Sequence, residues 1–430
     1  MNRVLTALVA LMAWILVPST LRAQSNSTES PYSRFGVGEL SQKTVNISRG
    51  MGNVGIALRS SRFVNPKNPA SYAAVDSQTF IFDFAASAGA SWFVEGSNKD
   101  TRLLGNFEYA TLLFPVAKWM SISAGLMPYS TVGYRYGTSQ PIEGISDREY
   151  ATRYQGKGNI SEAYFGVAFD PIRNFSLGVN AGYLFGTLGY SRTVDFGASS
   201  AYNPTTLESL SLQGIKLDAG IQYSLALKGD QALLLGATYA PSFALKSTFI
   251  HKELLASGSS TSGTTPRQEI SDVSSTDYRT PHSFGLGLGY QWGDKLLLAT
   301  DIQYNMWEKA LPNKASYRAQ NQWQVGLGAT YTPNQVARSL WQRMEYRFGL
   351  SAENSYITFP LDATTYTGYT KGGISLGLGI PMIDRRSWVD LTFDYSHLFP
   401  QQATSVHENY FRLTLGLRFN EAWFRKIKLD

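Results

Sequence analysis

Apolar and polar residues alternate with a period of two in one segment of the chain after another. In NFSLGVNAGYLFG, Phe175, Leu177, Val179, Ala181, Tyr183 and Phe185 share one face, while Ser176, Gly178, Asn180, Gly182 and Gly186 share the other. HSFGLGLGYQW sets Phe284, Leu286, Leu288 and Tyr290 against Ser283, Gly285, Gly287 and Gly289. NYFRLTLGLRF sets Phe411, Leu413, Leu415, Leu417 and Phe419 against Arg412, Thr414, Gly416 and Arg418. This pattern predicts β-strands. Strands of a soluble sandwich alternate too, so the lengths have to decide. Apolar faces of five or six members suit the roughly ten-residue tilted strands that cross a bilayer.

Fourteen such strands are predicted, near 78–92, 105–115, 118–130, 158–170, 174–189, 207–226, 230–247, 281–291, 295–307, 320–332, 342–353, 370–381, 387–398 and 408–419. Their connections alternate between short and long. VAKW, DPIRN, KGDQ, WGDK and PMIDRR are short, with a longer exception at TPNQVARSLWQ. The long ones cover about 93–104, 131–157, 190–206, 248–280, 308–319, 354–369 and 399–407. Short periplasmic turns opposite long outer loops describe an all-β, transmembrane up-and-down β-barrel, and an even strand count closes it with both termini on the periplasmic side. The tract SGSSTSGTTP (257–266) is expected to be an exposed loop tip.

Composition sharpens the picture. Arg3, the apolar run Val4–Val17 and the LRA before Gln24 read as an export signal over residues 1–23. Its removal takes away Arg3 and Arg22, lowering the formal charge from +6 to +4, too little and too scattered for nucleic acid. No cysteine is present, so metal-thiolate and Cys-nucleophile chemistry are excluded; the four histidines lack metal-ligand spacing, and no metal site or cofactor is expected. The 39 glycines, 25 tyrosines and 23 phenylalanines, with only 16% charged residues, suit a wall in which alternate residues meet lipid. The expected organisation is a signal at 1–23, an N-terminal hatch at 24–77, a barrel at 78–419 and a periplasmic tail at 420–430.

Residues 50–55, GMGNVG, match G-x-G-x-x-G literally. An exported chain of hairpins has no βαβ unit to present that turn to a pyrophosphate, so a nucleotide site is not expected. The longer stretch RGMGNVGIAL…FVNPKNPASYA resembles the N-terminal signature of the outer-membrane long-chain fatty-acid transporter family, the FadL/TodX-like proteins. Gly50, Gly52, Gly55 and Ala57 carry the match, with Asn68, Pro69 and Ala70 the most specific positions. The chain departs from the family in a second Asn-Pro pair at Asn65-Pro66, in the SYAAVDS that follows, and in its C-terminal tail.

The resemblance implies a hatch inside a fourteen-stranded barrel, and hydrophobic ligands released sideways through a gap beside a kinked third strand. Pro128, in SISAGLMPYSTVGY, falls in the third predicted strand, either as a bulge within it or as the residue that ends it. Passive uptake of hydrophobic small molecules such as long-chain fatty acids is the first functional expectation. Ligand capture is assigned to the loops at 131–157 and 190–206, and gating to 63–75. The candidate ligand and gating residues are Phe63, Asn65, Asn68, Pro69, Ala70, Tyr72, Pro128, Tyr134 and Tyr136, and Gly50, Gly52 and Gly55 are expected to pack the hatch.

The alternative is a non-transporting barrel subunit or scaffold of a larger outer-membrane assembly, since members of this fold family also serve as fixed subunits of export machinery. Residues 420–430, the outer loops and SPYSRFGVGEL (30–40) would then be contact surfaces. Expected partners are outer-membrane lipid, a hydrophobic small molecule and further proteins, in the outer membrane of a Gram-negative bacterium. An enzyme is not expected. Ser396 and His397 are neighbours on a strand and point to opposite faces, and Asp218, Asp301, Lys216, Arg412 and Arg418 read as a paired lumen network.

Overall fold

The computed structural model describes residues 28–142, 149–197, 202–257, 268–275, 277–360, 365–384, 386–402 and 406–422. The expected export signal at 1–23, all but the first residue of the tract 257–266 and the tail from 423 onward lie outside these. Fourteen antiparallel strands form the wall. They are β1 (Thr79–Glu95), β2 (Asn98–Ala117), β3 (Met120–Pro141), β4 (Glu149–Ile172), β5 (Phe175–Asp195), β6 (Tyr202–Ala226) and β7 (Gln231–Ala240). The circuit continues with β8 (His282–Trp292), β9 (Leu296–Met306), β10 (Gln322–Tyr331), β11 (Glu345–Asn354), β12 (Tyr369–Pro381), β13 (Trp388–Pro400) and β14 (His407–Ala422). β14 pairs with β1 from Thr79↔Ala422 to Val94↔His407, which closes the barrel.

The pattern of exposure resolves the ambiguity between sandwich and barrel. On β5, Leu177, Val179, Tyr183 and Phe185 are exposed on the outside, whereas Ser176, Gly178, Asn180 and Gly182 are buried within. A sandwich buries its apolar face; this wall turns it outward, as lipid requires. Among the described residues no helix is long and apolar enough to cross a membrane.

Two of the expected outer loops are instead strand. Residues 131–141 extend β3 and 149–157 extend β4, in continuous register from Ser130↔Ile160 to Pro141↔Glu149. Segment 190–206 likewise belongs to β5 and β6, apart from the positions near its tip. The tyrosines assigned to a flexible mouth alternate along these strands. Tyr136 faces Tyr154 across the pair and stacks on it, ring centroids 5.2 Å apart, a contact that favours a hairpin over a loop. Beyond a break at Pro241–Phe243, Ala244–Ser257 continues β7 outward and pairs with the upper part of β6.

Inside the wall runs the chain from Thr28 to Val75. It holds a 3-10 turn at Pro31–Arg34, a two-residue strand at Glu39–Leu40, one helical turn at Asn46–Arg49 and a 3-10 helix at Pro69–Ala74. Val45, Met51, Val54, Leu58, Val64 and Tyr72 form one apolar cluster with wall residues Ile81, Ala85, Tyr109 and Leu113. Segment 30–40, expected as a contact surface, is part of this interior: Ser30, Tyr32, Ser33 and Val37 are buried, and Arg34 and Phe35 reach the mouth.

Candidate functional site

The site consists of the interior segment, the wall it touches and the cavities between them. Its last turn, FVNPKNPASY, is irregular because both Asn-Pro pairs exclude helix, and its side chains replace the missing backbone bonds. Asn65 Nδ2 donates to the carbonyls of Gly55 and Leu58 at 2.7 and 3.0 Å. Asn68 Nδ2 donates to Ile56 O at 2.7 Å and to Ile221 O of β6 at 3.1 Å, while its Oδ1 caps the 3-10 helix at the Ala70 amide. Pro69 opens that helix and Ala70 is fully buried. Tyr72 donates to Asn180 Oδ1 at 3.0 Å, and burial pushes its phenol well above the ordinary range. Phe63 packs in the apolar cluster.

Glycine permits close approach on both sides. A Cβ on Gly349 would lie 1.8 Å from the Gly52 amide nitrogen, and one on Gly178 2.4 Å from the Pro69 carbonyl carbon. Gly50 meets Gly377, and Gly52, at φ +68°, crosses the carbonyls of Leu327 and Leu350. Gly55 faces Lys67 and Asn65 within the segment itself rather than the wall.

Electrostatics clamp the same segment along its length. Six of its residues pair with the wall: Glu39 with Lys371 (2.7 Å), Lys43 with Glu162 and Asp218 (2.5 and 2.7 Å), Arg49 with Glu108 (2.6 Å), Arg59 with Asp170 (3.1 Å), Arg62 with Glu345 (3.4 Å) and Lys67 with Asp301 (3.1 Å). Asp301 Oδ2 also accepts the amides of Gly55 and Ile56 at 2.7 and 2.9 Å. Burial would lower the Lys43 pKa, but the carboxylates of Asp218 and Glu162 outweigh it and raise the value. Burial likewise opposes the charge on Glu39, and the Lys371 ammonium overcomes it, holding the carboxyl below its usual value. At the lower end Arg418 joins Asp390 and donates to the Arg62 carbonyl at 3.1 Å.

Among the described residues the wall opens at a seam between β2 and β3. β2 and β3 pair from Ala117↔Met120 up to Ala110↔Leu126 and no further. Pro128 lies within β3, where the register against β4 slips between Pro128 and Ser130, so it marks a bulge and not the strand's end. The edge of β3 vacated by β2 is taken by the interior segment. Glu39 and Leu40 pair with Thr131 and Ser130, the Ser41 amide donates to Tyr129 O at 2.9 Å, and Ser33 exchanges hydrogen bonds with the Gly133 backbone at 3.0 and 3.1 Å.

Four cavities matter. A mouth cavity of about 370 Å³ is lined by Arg34, Tyr134, Tyr154, Tyr190, Tyr278 and Tyr317 among others. Tyr136 receives a hydrogen bond from Arg34 at 3.1 Å, and the guanidinium lies 4.5 Å from the Tyr154 ring centroid. Deeper down, a chamber of about 150 Å³ is bounded by Glu39, Arg49, Glu108, Lys371, Asp394 and Arg412, and one of about 110 Å³ by Pro128, Lys43, Glu162 and Asp218. Linings this charged hold water rather than hydrocarbon. A fourth, of about 70 Å³, lies between Phe63, Arg62 and the lower wall.

The expected site residues therefore fall in three places. Phe63, Asn65, Asn68, Pro69, Ala70 and Tyr72 form the lower turn, Pro128 stands at the seam, and Tyr134 and Tyr136 are at the mouth. Asn65, Asn68, Pro69, Ala70 and Tyr72 line none of these four cavities. The clamp of Lys43, Arg49, Arg59, Arg62 and Lys67 escaped sequence reading. Its signal is a run of cations between residues 43 and 67 facing carboxylates on inward strand positions such as Asp218 and Asp301.

The family model described as BamG matches residues 4–430. Among solved structures, the toluene transporter TodX of Pseudomonas putida is similar at 14% identity and a TM-score of 0.61, covering 90% of this chain and 99% of that one. A FadL homologue of Pseudomonas aeruginosa follows at 14% identity and a TM-score of 0.57, covering 90% and 100%. The monoaromatic hydrocarbon channel CymD gives 13% identity and a TM-score of 0.59, again covering 90% and 100%. These likenesses establish a FadL-like outer-membrane barrel fold. A search of curated proteins finds no match.

Proposed function

This chain belongs to the BamG family, and we propose that it acts as a permanently plugged barrel subunit of an outer-membrane protein assembly in a Gram-negative bacterium. The observation that carries this reading is the clamp of six interior residues paired to the wall, together with the segment 33–41 zipped onto the vacated edge of β3. Removing one partner of a buried pair costs about 3 kcal/mol. Opening a passage would break several pairs at once, and no energy source is visible in the chain. The buried charges in the chambers below the mouth, such as Lys43, Glu162 and Asp218, would also lose solvation on entry of an apolar solute.

A second reading, passive uptake of hydrophobic small molecules, is favoured by the mouth cavity of about 370 Å³ with its tyrosines and by the seam above Leu126. The neighbours TodX and CymD are named a toluene transporter and a monoaromatic hydrocarbon channel, which lends it support. Ligand would enter against Tyr134 and Tyr154 and leave beside Pro128 after displacement of Glu39–Leu40. Residues 63–72 serve in both readings as the turn that fixes the plug.

Purification from native membranes in mild detergent, combined with uptake assays in a deletion strain, separates the two. The subunit reading expects stoichiometric protein partners and unchanged uptake of labelled fatty acid and toluene. A chain isolated alone, with uptake lost on deletion, would overturn it.

A further inference from the structure

The seam leaves two strand edges, and only one is covered. The edge of β3 is capped by Glu39–Leu40. The edge of β2 from Asn98 to Tyr109 pairs with β1 on one side, and among the described residues no backbone group meets Leu103–Phe107 on the other. A side-chain bridge crosses the seam above this stretch, where Arg102 Nη2 donates to the Arg135 carbonyl at 3.5 Å. Leu103 and Phe107 are 72% and 49% exposed on the outer face, below the outward-facing Trp92. The stretch thus sits on the lipid-facing wall, where acyl chains offer neither donors nor acceptors and an open strand edge is not stable.

A second feature marks the same place. Beside the edge, the outer face carries Ala86, Ala88 and Ala90 on β1 opposite Phe107, Gly105 and Leu103, and a Cβ on Gly105 would have only the Ser87 carbonyl oxygen within 4.0 Å. Small side chains there let another backbone come close.

We propose that the Leu103–Tyr109 edge of β2 docks a strand of a second outer-membrane barrel, one that is itself open at a seam. The chemistry selects this occupant. The backbone groups of alternate β2 residues require a matching ladder, which protein backbone supplies and lipid does not. A closed barrel has no unpaired strand to give. The incoming strand takes the place β3 has left, so it runs antiparallel to β2. A second copy of this chain cannot supply it: in the same membrane its own β2 edge would run parallel to this one, and its β3 edge is occupied by Glu39–Leu40. This inference rests on the assembly-subunit reading and names where the partner attaches.

The test is amide hydrogen exchange of residues 103–109, compared between the purified chain in phospholipid nanodiscs and the same chain in native outer-membrane vesicles. Photo-crosslinking in cells from Phe107, which faces outward, accompanies it. Exchange at least tenfold slower in native membranes, with crosslinks to a heat-modifiable barrel protein, is the expected result. Equal exchange in both settings, or crosslinks to lipid alone, overturns the docking edge. If protein partners still co-purify in that case, the subunit reading stands without it; if none do, both fall.

Discussion

Gly349 of β11 lies so close to Gly52 of the plug that a Cβ on Gly349 would fall 1.8 Å from the Gly52 amide nitrogen. That nitrogen donates to Arg49 O at 3.1 Å and to Ser375 Oγ of β12 at 3.0 Å, so pushing Gly52 away from the wall disturbs buried hydrogen bonds. Gly349→Ala is expected to cost about 3 kcal/mol, the upper end for overpacking. Gly189→Ala, whose Cβ would meet only the Lys157 carbonyl oxygen at 3.7 Å, is the control and should stay within about 0.5 kcal/mol. Denaturant titration in detergent, followed by electrophoretic mobility without boiling, reads both.

Asn68 joins three elements through one amide, holding Ile56 O, Ile221 O and the Ala70 N–H. Asn68→Ala removes the cap and the donor to Ile221 O, while Gln222 Nε2 still donates to Ile56 O at 3.0 Å, for an expected loss of about 1–2 kcal/mol. Asn68→Asp keeps a cap acceptor but points a carboxylate oxygen at the Ile56 carbonyl, so it should not rescue. Chemical denaturation of the two variants side by side checks this. Recovery of wild-type stability in Asn68→Asp would show that the cap alone matters.

These bonds also show how far the sequence could be read. Period-two alternation located all fourteen wall strands, because lipid outside and plug inside impose opposite demands on successive residues, as on Leu177 and Gly178. The Asn-Pro pairs announced irregular chain enclosed by protein. Strand ends were less visible. Tyr134, Tyr136 and Tyr154 looked like loop residues since they lie beyond the lipid-facing band, where alternation is no longer apolar against polar. The clamp was hidden for another reason: Lys43 and Glu162 are 119 residues apart, and nothing local in either segment records the pairing.

Asp301 receives Gly55 N–H, Ile56 N–H and the Lys67 ammonium on one oxygen. Asp301→Asn can still accept the amides but leaves Lys67 in the interior without its counter-charge, and about 3 kcal/mol of local stability should be lost. Hydrogen exchange at Gly55 and Ile56 should accelerate by about a hundredfold, as that energy implies. Unchanged exchange would mean that the pair contributes nothing to holding the plug.

Glu39 gives the plug an acid limit. Its folded pKa lies below the ordinary 4.5 because Lys371 stabilises the carboxylate. The contribution is therefore complete above about pH 4.5 and is lost as pH falls through the folded value. Stability should decline below pH 4.5 in the wild type. In Glu39→Gln it should be lower at neutral pH, with a shallower acid decline; titrating melting temperature from pH 3 to 7 distinguishes the curves. Identical slopes would remove Glu39 from the account.

A plug that stays fixed in function should tolerate being bolted to the wall by a disulfide. The natural chain has no cysteine, and Leu40 and Ser130 face each other in register between the plug strand and β3. Paired cysteines there fall near disulfide spacing. Cells whose only copy is the oxidised Leu40→Cys/Ser130→Cys variant should keep the same co-purifying protein partners, and the same function of that complex, as wild-type cells, with no change on adding reductant. Loss of function in the oxidised state, restored by reductant, would contradict the account and make Glu39–Leu40 a gate.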